Sequence, residues 1–193
     1  MTDTALSSGE VLAGLRDIVH RLRAAGQPAT IQIVGGVAIA LTVDGDRPPT
    51  KDVDATVTPP AEFRKIAAEV GEERGWPDGW LDEQAGIFLP NQFGRGAEWV
   101  TLYDEDGVVV QAGDPKMLLA MKLVSVGHRP RRDADDVAVL LSATGVTSAD
   151  EAEEVLEEYF PGDGLTPKVY DIVEALLGQG PRQIRTPEPP DFS

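Results

Sequence analysis

The sequence predicts an α+β fold: a small mixed β-sheet flanked by helices, followed by a C-terminal helical annex. Two observations predict it. Short apolar runs of strand character come early, whereas apolar residues at three- and four-residue spacing dominate after residue 113. The 193 residues hold one domain with room for an annex, and 41% apolar residues supply an ordinary core. The expected division is an α/β core over 1–112, a helical region over 113–178 and a disordered tail over 179–193.

Taken in order, Val11, Leu12, Leu15, Ile18, Val19 and Leu22 predict a helix over 7–25, with Ser8 as N-cap and Gly26 as its stop. Ile31 to Val34 is a short buried strand ending at Gly35-Gly36. Val37 to Val43 forms a short helix leaving those glycines. Asp44-Gly45-Asp46 and Pro48-Pro49 mark a loop. Asp52 to Val57 is a second strand, and Pro59-Pro60 opens a helix reaching Arg74. Residues 75–96, rich in Gly, Pro and Trp, read as loop with one short helix at most. Glu98 to Tyr103 and Val108 to Gln111 are strands joined by a turn at Asp104 to Gly107. Helices follow from Asp114 to Val126, Asp133 to Ser142, Ser148 to Tyr159 and Thr166 to Leu177. Pro181, Pro187, Pro189 and Pro190 place the tail among disordered segments.

Composition narrows the chemistry. The chain has no cysteine, which removes disulfides, thiolate metal sites and thiol nucleophiles. Two histidines, His20 and His128, do not make a histidine-rich metal site. No apolar run approaches the roughly 20 residues that span a bilayer. The first four residues lack a basic, apolar leader pattern, so a cytoplasmic location without membrane partners is expected. The net charge of −16 opposes non-specific binding to phosphate backbones. It is unevenly spread: residues 148–164 carry seven acidic and no basic side chains, whereas Lys122, His128, Arg129, Arg131 and Arg132 cluster.

The residues that point to chemistry are Gly35-Gly36 and Asp52-Val53-Asp54. Alternate strand residues face the same side, so the two carboxylates would sit together. Their repulsion is relieved by a divalent cation, and Mg²⁺ is commonly held by one or two carboxylates plus substrate phosphates. The glycine turn lets backbone amides approach a phosphate. Thr50 could add a hydroxyl to such a phosphate or serve as an ordinary strand residue. Lys51 points to the opposite, solvated face.

Lys122 shares a helical face with Leu118, Leu119, Ser125 and Val126. Its ammonium either snorkels to water or meets a phosphate or carboxylate. Asp133 reads as an N-cap. Asp136 shares a face with Val139 and Leu140, and is either paired with an arginine or acts as a base or an orienter of Lys122. Glu98 and Asp104 are the candidates for a third carboxylate from a neighbouring strand.

Together these motifs resemble the polymerase-β-like nucleotidyltransferase superfamily, whose pattern is a Gly-Gly turn after the first strand and Asp-x-Asp on the next. Residues 118–123 and 131–136 make the chain similar to the abortive-infection and type IV toxin–antitoxin nucleotidyltransferases, in which Thr50, Lys122 and Asp136 would match further site positions. The resemblance covers residues 8–143. It implies transfer of NMP from an NTP to a hydroxyl on RNA, protein or a small molecule. Asp52 and Asp54 would hold Mg²⁺ (or Mn²⁺ in its place), and Gly35, Gly36 and Thr50 would hold phosphates. Lys122 would neutralise phosphate charge, and Asp136 or Asp54 itself would help deprotonate the acceptor. A cognate antitoxin is the implied protein partner. The competing expectations are a catalytically inactive nucleotide-binding or protein-interaction module of the same fold, and an antitoxin-like protein whose acidic segment binds a basic partner.

Overall fold

The computed structural model describes residues 5–90 and 93–192. Its fold is α+β, with a five-stranded mixed sheet in the order β3-β2-β1-β5-β4. The strands are β1 (Ala29–Ile33), β2 (Val53–Thr58), β3 (Leu81–Asp82), β4 (Trp99–Glu105) and β5 (Val108–Gly113). Around them lie α1 (Ser8–Ala24), α2 (Gly35–Thr42), α3 (Pro60–Arg74), α4 (Pro115–Val126), α5 (Pro130–Thr144), α6 (Ala149–Tyr159) and α7 (Pro167–Leu177).

The central strand β1 pairs antiparallel with β2 and parallel with β5. Its residues Ala29, Ile31 and Ile33 alternate into the core, as the period of two in the sequence requires. Helix α2 is apolar on every side, and Gly36 through Leu41 are buried, which fits a helix enclosed by neighbours rather than lying on a surface. Val11, Leu15, Ile18, Val19 and Leu22 of α1 belong to one apolar cluster with Met117, Leu118, Leu119 and Leu123 of α4 and with Val169 and Val173 of α7. The cluster therefore runs unbroken across residue 113, between the predicted core and the predicted helical region.

Several boundaries differ from the expectation for local reasons. Ser7, not Ser8, caps α1, in a capping box with Glu10: Ser7 accepts from the Glu10 amide and Glu10 accepts from the Ser7 amide. The β4–β5 hairpin turns on Asp106 and Gly107, both at positive φ, so β4 runs two residues into the predicted turn, to Glu105; Asp-Gly suits this conformation. Helix α5 starts at Pro130, three residues before Asp133, because proline fits a first turn and lacks the amide that would go unpaired there.

Residues 75–96 contain a strand that composition hides. Trp80 is buried and its indole N–H donates to the Ala67 carbonyl of α3 at 3.0 Å. Gly71 leaves room for that ring. Anchored this way, Trp80 accepts the Val53 amide through its carbonyl at 2.8 Å and delivers Leu81-Asp82 to the edge of β2. A 3-10 turn (Glu83–Phe88) follows.

Residues 182–192 of the tail make contacts that its prolines do not suggest. It has no regular element, yet it runs across the body. The Arg182 amide donates to Ser142 at 2.9 Å, and the Arg185 carbonyl accepts from Gly45 at 2.8 Å. Arg16 donates to the Asp191 carbonyl at 2.6 Å, and Phe192 is 1% exposed beside Tyr103. Proline lowers the entropy that an extended segment loses on docking, and one buried aromatic supplies the anchor. Phe192→Ala should lower stability by about 3 kcal/mol in urea unfolding; a variant that unfolds with the wild type would mean the tail does not dock in solution.

Candidate functional site

The site forms where β1 ends and α2 begins. Val34 leads into Gly35, which has a φ of +64°, a conformation that only glycine adopts cheaply. The Val34 amide donates to the Asp54 carbonyl at 2.9 Å, tying this turn to β2. Both glycines are demanded by what lies over them. A Cβ on Gly35 would collide with the Asp54 carboxylate, and a Cβ on Gly36 would come within 2.6 Å of Arg47 Nη1. The Gly-Gly pair is thus a seat for one carboxylate and one guanidinium.

Asp54 lies on β2, and Asp52 lies just before the strand begins at Val53. Burial pushes the Asp54 carboxyl above the usual carboxylate range, and the charge of Asp52 raises it further; Lys122 and Arg132 work against the rise, and Asp82 adds to it. Asp82 is the Cα partner of Asp54 in the parallel β2–β3 ladder. A further carboxylate on a neighbouring strand is thus Asp82 of β3. Glu98 and Asp104 are elsewhere: Asp104 is on β4, separated from β2 by β1 and β5. Glu98 accepts from the Tyr159 hydroxyl at 2.6 Å and pairs with Arg95 at 2.9 Å.

Behind the carboxylates sits a largely buried group of four charges, which the exposed Arg129 joins with its Nε 3.5 Å from Asp133 Oδ2. Lys122 Nζ is 2.7 Å from Asp133 Oδ1 and 2.8 Å from Asp136 Oδ2. Arg47 grips Asp136 with two parallel bonds, Nε to Oδ1 at 2.8 Å and Nη2 to Oδ2 at 3.0 Å. Ser125 donates to Asp133 Oδ2 at 3.0 Å. Asp133 is fully buried, so it is not the N-cap its sequence position suggests; it lies inside the first turn of α5 and faces α4. Burial would raise the Asp136 carboxyl, but the Arg47 hydrogen bonds and the Lys122 charge outweigh it and hold it below its ordinary value.

Thr50 lies at the rim. Its hydroxyl donates to the Asp52 carbonyl at 3.2 Å, and its backbone bridges to Leu6. Gly36, Arg47 and Thr50 line a small cavity of about 10 Å³, room for about one water. A wider cleft of about 550 Å³, lined by Arg95, Glu98, Asp114 and Lys116 among others, lies away from Asp52 and Asp54 and shares no residue with them.

The donor set suits a hard divalent cation: carboxylates on adjoining backbone, one held against its ionised form by burial and by its anionic neighbours. Among the described residues no group of three or more His, Cys, Asp or Glu side chains gathers closely enough to hold an ion. A Mg²⁺ seated here would take its remaining ligands from water and substrate phosphates, its usual habit.

No protein-family model, curated protein or solved structure matches the chain. Among the described residues no helix is long and apolar enough to cross a membrane.

Two outcomes follow from the opposite displacement of Asp54 and Asp136. Asp136→Asn removes one of two anions shared by two buried cations and should cost about 3 kcal/mol. The native contribution of Asp136 is present above its ordinary value of 3.8 and is lost as pH falls through the lower folded value. Asp54 has the reverse sign: its folded value is raised, so its ionisation weighs against folding as pH rises. Asp54→Asn should therefore raise the melting midpoint at pH 7, with the gain vanishing below about pH 4. Melting curves of both variants against pH check this; a destabilised Asp54→Asn at pH 7 would overturn it.

Proposed function

We propose that this chain is a Mg²⁺-dependent nucleotidyltransferase of the polymerase-β-like kind, transferring NMP from an NTP to a hydroxyl on RNA, protein or a small molecule. The observation that carries the reading is the seating of Asp54 on Gly35, beside Asp52 and Asp82, at the start of a buried helix. Glycine is needed there because a carboxylate approaches the turn, which is more than a turn alone requires.

Bound Mg²⁺ would bring the triphosphate oxygens to Asp52 and Asp54 and offset the charge that develops on them. The residues of the chain do the rest by position and electrostatics, which dominate phosphoryl chemistry. The acceptor oxygen forms a bond to the α-phosphorus, the bond from that phosphorus to the bridging β-oxygen breaks, and pyrophosphate leaves. The hydroxyl proton needs a carboxylate. Both oxygens of Asp136 are occupied by Arg47 and Lys122, which favours Asp54 over Asp136 as its receiver. Lys122 then acts from behind, through its field on Asp54, and Asp133 and Asp136 hold it there. The sequence resemblance further suggests a role in abortive infection or a toxin–antitoxin pair, with a cognate antitoxin as partner.

The close pairing of Lys122 with two carboxylates also favours a second reading, a nucleotide-binding module without turnover. Transfer of label separates the two. Each α-³²P-labelled NTP is incubated with Mg²⁺, cell lysate as acceptor, and wild type or Asp52→Ala/Asp54→Ala. Label on RNA or protein with the wild type alone is the expected result. Mg²⁺-dependent NTP binding without transfer would identify the binding module, and neither binding nor transfer would reject both readings.

A further inference from the structure

We propose that Arg132 is the side chain that receives the phosphates of the nucleotide, and that Asp52 holds it in reserve until a metal ion takes its place. The inference rests on the nucleotidyltransferase reading and names a phosphate-binding residue within it.

Four cations act on the carboxylates, and the burial of each pair sorts them: Arg129 is 56% exposed, but its partner at 3.5 Å is Asp133, which is fully buried and also held by Lys122. The Lys122 side chain is 13% exposed and contacts two carboxylates at 2.7 and 2.8 Å. Arg47 is 15% exposed and clamps Asp136 through two bonds. Moving either toward a ligand would strand a buried anion, which costs several kcal/mol. Arg132 differs. It is 51% exposed and makes one contact, Nη2 to Asp52 Oδ1 at 3.3 Å, with a carboxylate that is itself 32% exposed. Exposed pairs of this kind are worth about 0–1 kcal/mol, so a divalent ion displaces the guanidinium at little cost.

Position then decides what the released group meets. Arg132 lies in the first turn of α5, one residue before Asp133, which is locked to Lys122. Its backbone therefore stays fixed while its side chain changes partner. Its guanidinium contacts Asp52, two residues from Asp54, so it lies beside the pair that would carry the metal. A guanidinium has a planar fork of donors that matches phosphate. Arg132 stands beside Asp52, a carboxylate that would hold the cation. In the loaded protein, it turns to the anion that the cation brings.

The exchange predicts opposite signs in two titrations of one variant. Mn²⁺ alone should bind Arg132→Gln more tightly than wild type, by up to about fivefold, the equivalent of an exposed pair. Inorganic triphosphate with saturating Mn²⁺ should bind Arg132→Gln about tenfold more weakly. Arg132→Lys should keep the charge and recover part of the triphosphate affinity. Asp52→Asn/Asp54→Asn serves as control for the metal site. If that control binds Mn²⁺ as the wild type does, or the wild type binds none, the metal reading fails and the exchange fails with it. If the control loses Mn²⁺ while Arg132→Gln binds triphosphate as the wild type does, or loses affinity for both ligands alike, the metal reading stands and the exchange is wrong. Calorimetric titration reads all four proteins, and the half-exposed position of Arg132 leaves folding to the other contacts.

Discussion

The buried quartet of Arg47, Asp136, Lys122 and Asp133 is the constraint on which the rest of the structure depends. It joins three separate pieces of chain: the loop after α2, helix α4 and helix α5. Two cations meet two anions within it, and Arg129 adds an exposed contact to Asp133 at 3.5 Å, so that neither buried anion is left uncompensated. Such networks contribute little net stability against an apolar core of the same shape, but they are demanding about geometry. Here the demand is satisfied at one arrangement of α4 against α5. That arrangement sets Arg47 over Gly36 and holds the turn that bears Asp54.

The site therefore has two layers with opposite electrostatic character. In the rear layer each carboxylate is met by buried cations, and Asp136 stays ionised. In the front layer Asp52 meets the exposed Arg132, and Asp54 resists ionisation. Groups whose environments drive their pKa values apart mark functional sites more often than structural pairing does. The rear layer is a scaffold; the front layer stores an unfavourable charge arrangement that a ligand can relieve. A protein that keeps such a cluster bears a stability cost, which native structures accept where binding needs it.

Much of this was legible in the sequence, and the rest was hidden for identifiable reasons. Gly35-Gly36 and Asp54 could be read because they depend on local geometry, a tight turn and a strand, whereas Asp52, expected on that strand, stands one residue before it. Lys122 and Asp136 were visible as charges on apolar helical faces. Asp133 was misplaced as a cap because a helix start is inferred from its first polar residue, while Pro130 began the helix a turn earlier. Arg47 gave no signal, since a loop residue between Asp46 and Pro48 has no periodicity to betray the direction of its side chain. Asp82 was concealed by strand length: β3 has two residues, too few for any alternation, and it exists because Trp80 is pinned to α3. The tail was misread because its prolines resemble those of disordered segments, and only the tertiary pocket for Phe192 distinguishes them.

The net charge of −16 bears on how an anionic substrate could enter at all. A field of that sign repels a triphosphate, and buried cations cannot answer it because they are already neutralised by Asp133 and Asp136. Screening confines the protein's remote charges to a range of about 8 Å at physiological ionic strength, so the local balance at the mouth of the site decides. There Arg132 lies in the first turn of α5, and Asp52 opposes it. On the proposed reading the opposition is resolved by the substrate itself, which arrives as a metal complex. Its cation cancels the two carboxylates, and Arg132 is then left facing the phosphates without its carboxylate partner. An acidic chain can bind an acidic substrate in this way without a permanent basic surface, and free nucleotide without metal would meet the repulsion in full.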